Sequence, residues 1–88
     1  MHTKFKPTFL KDLEDLPQDI RKKVEQFVFL ALPQCKNLRE LSGIKKIHGA
    51  KSFYRFRIGD HRIGFEVREN EIIVYKVLHR SKIYRYFP

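Results

Sequence analysis

The chain has 88 residues, 42% of them apolar and 33% charged, with nineteen Lys/Arg against ten Asp/Glu for a net charge of +9. That length suits one domain with a compact core, and no linker, repeat or low-complexity stretch divides residues 1–88. No apolar run reaches the ~20 residues that cross a bilayer, the first residues carry no signal-peptide pattern, and the lone Cys35 cannot close an internal disulfide, so a cytoplasmic protein is expected.

Residues 2–6 read as a short opening strand. From Thr8, a residue suited to helix capping, Phe9, Leu13 and Leu16 recur at spacings of four and three and predict a first helix. Pro17 breaks it and suits the first turn of a second, with Asp19 near the positive end. The second helix is expected to run to about Leu32 and to stop at Pro33. Its buried stripe is Ile20, Val24, Phe27, Val28 and Ala31, while Arg21, Lys22, Lys23 and Glu25 face water.

Gly43, Gly49 and Gly59 punctuate the rest of the chain, and beyond Ser52 the apolar period falls to two. Tyr54, Phe56 and Ile58 share one face of a strand, with Arg55 and Arg57 on the other. A Gly59-Asp60 turn leads to Arg62–Arg68, where Ile63, Phe65 and Val67 oppose Arg62, Glu66 and Arg68. After a Glu69-Asn70 turn, residues 72–78 are apolar on both faces and read as the central strand. The expected architecture is α+β: an N-terminal strand and helical hairpin packed on one face of a small twisted, mainly antiparallel sheet, ordered βααβββ(β).

Charge is unevenly spread along this plan. Residues 1–44 carry eight Lys/Arg against six Asp/Glu, residues 45–88 eleven against four. A basic sheet face suits nucleic acid, an anionic membrane surface or an acidic protein; the plainer alternative is a face kept soluble by charge. No GxxxxGK[ST] or GxGxxG loop is present. His2, His48, His61 and His79 are scattered without CxxC or HExxH spacing, and the carboxylates are too dispersed for a two-metal nuclease. A nucleophilic Cys35 would need a nearby His and an orienting Asn or Asp. The remaining phosphodiester chemistry is metal-independent attack by a ribose 2′-hydroxyl, which needs an aligned chain, cations at the phosphorane and a proton carrier. Residues 78–88 gather Arg, Tyr and His at the end of the last strand, although Ile83, Tyr84 and Phe87 could equally pin the terminus to the core.

The run YRFRIGDHRIGFEVRENEIIVYKVLHRSKIYRYFP resembles the C-terminal part of the RelE/ParE toxin superfamily of bacterial toxin–antitoxin systems. The family form is roughly Tyr-Arg-x-Arg-x-Gly-Asp-Tyr-Arg, a hydrophobic strand, then His-Arg-x-x-x-Tyr. Lys46-Ile47-His48-Gly49 stands in place of the family's Leu-x-Gly turn, and the helical hairpin matches its front half. The RelE branch implies a messenger-RNA endonuclease acting in the ribosomal decoding site and neutralised by a cognate antitoxin, with no cofactor. Arg62 would then stabilise the transition state, with Arg80 and Tyr84 catalytic and His79 a general acid or base. Arg55 and Arg57 would hold RNA phosphate, joined by His61, Lys82 and Arg85. His61 stands where the family more often has Tyr, and the spacing from Arg80 to Tyr84 differs from some members. The ParE branch implies instead a non-nuclease inhibitor of DNA gyrase; a plain RNA-binding module is the third reading.

Overall fold

The structure, a computed structural model, describes residues 1–47, 49 and 51–88. The expected turn at Lys46-Ile47-His48-Gly49 therefore includes one residue, His48, outside the described set. Strand β1 (His2–Phe5) leads to helices α1 (Pro7–Glu14) and α2 (Gln18–Glu25). A π-helical turn (Gln26–Ala31) and a last turn α3 (Leu32–Gln34) complete the second arm. After a 3-10 turn at Leu38–Glu40 come β2 (Ile44–Lys46), β3 (Phe53–Ile58), β4 (His61–Arg68) and β5 (Glu71–His79), then a terminal helix α4 (Ile83–Tyr86).

The expected α+β plan is what forms: among the described residues, one sheet ordered β1-β5-β4-β3-β2, with β1 and β5 parallel and the other pairs antiparallel. β5 is interior, although β4 is the middle strand. The fourth strand after the helices is the first of the series, β2, and the chain ends in a helix. The helical hairpin covers one sheet face, where Phe9, Leu13, Val24, Phe27, Val28 and Leu32 meet Ile63, Phe65, Ile72, Val74 and Val77. Phe27 and Phe56 lie parallel with centroids 3.6 Å apart.

Three local expectations are corrected. Thr8 does not cap α1: Lys6 is the capping residue with no side-chain bond, Pro7 takes the first turn, and Thr8 Oγ1 donates instead to the Tyr75 carbonyl at 2.9 Å. The reason is the edge of β5 beyond the end of β1, whose open groups α1 satisfies; Asp12 similarly accepts from the Val77 N–H at 3.2 Å. Pro33 does not stop the second arm, which reaches Gln34. The Leu32 N–H bonds the Phe27 carbonyl five residues back, and this widened turn precedes the ring that cannot donate. The extra residue in that turn also shifts the stripe, so Leu32 is fully buried and Ala31 only partly.

The other sheet face is not bare. Ile83 and Phe87 are buried there, and the Phe87 ring packs against Phe53 and Tyr75 with centroids 5.4 and 5.6 Å away. Beneath this small outer cluster lies Glu66, a buried carboxylate that accepts from Tyr75 Oη at 2.7 Å and Arg68 Nε at 2.9 Å.

Candidate functional site

Strand pairing decides which charges meet. Arg57 stands directly across from Arg62 on β4, and Arg55 across from Gly64. Alternation places all three guanidinium-bearing residues on the face away from the helices. Like charges facing each other across a ladder destabilise it, and among the described residues none of the three makes an ion pair. Arg62 is half-buried, and its Nη1 donates to the carbonyls of Gly59 at 2.9 Å and His61 at 3.0 Å. Burial, and then the charges of Arg57, Arg55 and Arg80, push its guanidinium below the usual arginine value; nearby Tyr84 opposes this. Even lowered, an arginine remains a cation near neutral pH. A surface that gathers uncompensated arginines in this way is built to receive an anion.

Arg80 joins the cluster through the Gly59-Asp60 turn. Its N–H donates to the Asp60 carbonyl at 2.7 Å, and its Nε lies 3.8 Å from the Asp60 carboxylate. Tyr84, 55% exposed on α4, stands between Ile83 and the exposed Arg85. Ile83 and Phe87 are the residues that pin the terminus, and Tyr84 is left free to face solvent. Lys82 is exposed at the start of α4.

His79 and His61 are not on the arginine face. β5 carries one extra residue, Tyr75, because Val74 pairs with Phe65 while Lys76 pairs with Gly64. Past this bulge Val77 faces the helices, and so does His79, the Cα partner of His61. Their rings meet edge to face with centroids 5.6 Å apart. His79 Nδ1 lies 3.1 Å from the Ser81 backbone nitrogen and 2.8 Å from Ser81 Oγ, so Ser81 holds the ring at the strand end. Among the described residues His61 Nδ1 is buried without a hydrogen-bond partner.

Burial, then the proximity of His79 and Arg62, pushes the His61 imidazole below its ordinary 6.5, against the pull of Asp60 and Asp19. The unfolded chain therefore takes up this proton before the folded one. Stability supplied by neutral His61 is complete above about pH 7 and falls as pH drops through 6.5 toward the folded value. His61→Gln is expected to flatten that part of the profile, seen as a smaller difference in Tm between pH 7.5 and 5.5 than in the parent protein.

One cation of this face lies outside the residues that the sequence points to. Lys45 on β2 is the Cα partner of Arg55 and so extends the row Arg55–Arg57–Arg62 onto the edge strand. The signal is weak because β2 is three residues long and shows no alternation. Cys35 is buried, its Sγ 3.1 Å from the Leu32 carbonyl, and burial pushes the thiol up, so it is no nucleophile. No helix is long and apolar enough to cross a membrane among the described residues.

Residues 3–84 match the family of ParE toxins of type II toxin–antitoxin systems. The chain is 44% identical to Toxin RelE3 of Methanocaldococcus jannaschii across all of both chains. Its structure superposes on the RelB–RelE antitoxin–toxin complex of Methanococcus jannaschii with a TM-score of 0.82 and 41% identity, covering 97% of this chain and 99% of that one. The isolated Escherichia coli RelE toxin shares the fold, with a TM-score of 0.68, 18% identity and coverage of 96% and 90%.

Proposed function

Because this chain belongs to the RelE/ParE superfamily of toxin–antitoxin toxins and is of the RelE type, we propose that it cleaves messenger RNA on the ribosome without a metal ion. The observation that carries this reading is the outer-face cluster of Arg55, Arg57 and Arg62, uncompensated by acids and joined by Arg80 and Tyr84. A 2′-hydroxyl attacking the adjacent phosphorus builds charge on the phosphorane oxygens. Arg62, held by two carbonyls and flanked by Arg80, supplies a rigid cation at that point. Arg55, Arg57 and Lys45 run along the sheet at strand spacing and would track the RNA backbone. Exposed Lys82 and Arg85 flank the same end.

Tyr84 is the proton-handling or base-stacking group on the arginine side. His79 is turned toward His61, so a part for it as general acid or base requires RNA to reach around the strand end. The cognate partner is an antitoxin, supported by the related toxin bound to RelB; a chain of net charge +9 suits an acidic one.

Controlled expression followed by mapping of 5′ ends on translated messages tests the reading. New ends within coding regions are expected within minutes of induction. Growth arrest with intact messages and collapsed DNA supercoiling would replace it with gyrase inhibition. The extent of the face is tested separately: Lys45→Ala is expected to weaken RNA binding at every sequence alike. It should also flatten the slope of log affinity against log salt by ~0.7, the counterion release of one single-strand phosphate.

A further inference from the structure

We propose that Gly64 is a positioning residue, the seat on which the C-terminal helix is set so that Tyr84 meets the arginine cluster. Gly64 has no positive φ and lies mid-strand, where a glycine weakens a sheet unless something approaches closely. Something does. A Cβ there would lie 2.4 Å from Cδ2, 2.6 Å from Cε2 and 2.7 Å from Cγ of Phe87. The ring therefore lies on the bare backbone of β4, between Arg55 and Lys76, the cross-strand partners of Gly64.

The ring is braced on two sides. Phe53 meets it edge-on, and Tyr75, the extra residue of the β5 bulge, tilts against it with its hydroxyl fixed on buried Glu66. Phe87 in turn fixes α4, since its N–H closes that helix on the Ile83 carbonyl at 2.9 Å and Ile83 is buried on the same side. With Ile83 and Phe87 both clamped, the rotation of this four-residue helix is set, and so is the direction in which Tyr84 emerges. The bulge, the glycine and the buried acid then serve one end: the height and rotation of a helix too short to hold itself.

This inference rests on Tyr84 acting with Arg62 in RNA cleavage. The full-length protein carries the test, with message cleavage in a translating extract and amide exchange measured on the same samples. Gly64→Ala is expected to lower kcat by roughly 10- to 100-fold, the penalty of a small misplacement, with KM almost unchanged. The Arg85 and Phe87 amides should lose protection while β3, β4 and β5 keep theirs. Tyr84→Phe added to Gly64→Ala should cost less than it does alone. Gly64→Ala/Phe87→Leu, which removes ring atoms where a methyl was added, should recover much of the rate. If Gly64→Ala does not fold, Phe87→Leu, which empties the seat without crowding the sheet, is read by the same kcat and exchange criteria.

Unchanged α4 protection in Gly64→Ala, or lost protection with an unchanged kcat, overturns the proposal. A fall in rate that comes entirely through KM overturns it too. If the parent protein cuts no RNA while Gly64→Ala still releases α4, the cleavage reading fails and the seat stands.

Discussion

Arg62→Ala is expected to slow RNA cleavage by about 10²–10³-fold, the loss seen when one fixed donor to a developing oxyanion is removed. The fold should tolerate the change. Two hydrogen bonds to the Gly59 and His61 carbonyls are lost, each worth about 0.5 kcal/mol at positions that solvent reaches. Relief of repulsion from Arg57 directly across the ladder, and from Arg55 and Arg80, offsets part of that. Activity and stability are thus expected to part company, with a large kinetic loss and a Tm within a few degrees of the parent. Arg62→Lys should restore charge but not the planar fork that grips two carbonyls and an anion together, and so recover only part of the rate. Time courses of 5′-end formation on one message give the numbers. A rate within twofold of the parent in Arg62→Ala would remove this residue from the chemistry.

The faces of β3 and β4 are legible in the sequence because their alternation is unbroken. Tyr54, Phe56, Ile63 and Phe65 pack toward the helices, and Arg55, Arg57 and Arg62 emerge opposite them. Toward the end of β5, legibility stops at Tyr75. An uninterrupted period of two from Ile72 and Val74 would carry His79 to the outer face and Arg80 to the inner one. The single extra residue turns His79 to the inner face, and Arg80 falls in the turn beyond the strand. The single mark of the bulge is Lys76, which an unbroken period of two from Ile72 and Val74 would turn toward the helices; the other residues from 72 to 78 are apolar and bury with either parity. The outer cluster is hidden for a related reason: Glu66 reads as a solvated acid until Tyr75 and Phe87 are seen to cover it. The π-helical turn is equally hidden, because Phe27–Leu32 is apolar at every position and fits several helical spacings.

The bulge and the outer cluster act together on the face of the sheet away from the helices. The bulge turns His79 toward the helices and sends Tyr75 outward to meet Glu66 and Phe87. A charged, self-repelling arginine face is bordered by a small apolar cluster, away from the main core. If Arg62 stabilises a transition state as proposed, such bordering matters, because a cation does so only if it need not move.

Glu66→Ala is accordingly expected to be among the most destabilising single changes, by about 2–3 kcal/mol, the upper part of the range for leaving a buried hydrogen-bonding group without its partner. For a domain of this size that is a fall in Tm of roughly 10–20 °C. Most of the loss comes from Tyr75, whose hydroxyl would be left against Phe87 with no acceptor; Arg68 is well exposed and rehydrates. Glu66→Gln keeps an acceptor and should cost clearly less. Burial pushes the Glu66 carboxyl up, but the hydrogen bonds from Tyr75 and Arg68 together outweigh it and hold the group below its ordinary 4.5. The unfolded chain protonates first, so the stability that ionised Glu66 supplies is present above about pH 4.5 and lost as pH falls through the folded value. Its partner titrates in the opposite sense: the bond to Glu66, then burial, raises the Tyr75 phenol above 10, and that stability is lost as pH rises through the folded value. Denaturant unfolding at pH 7 and pH 3.5 separates the terms. The gap between parent and Glu66→Gln should narrow at the lower pH, and an equal gap at both would show that the carboxylate's charge contributes nothing.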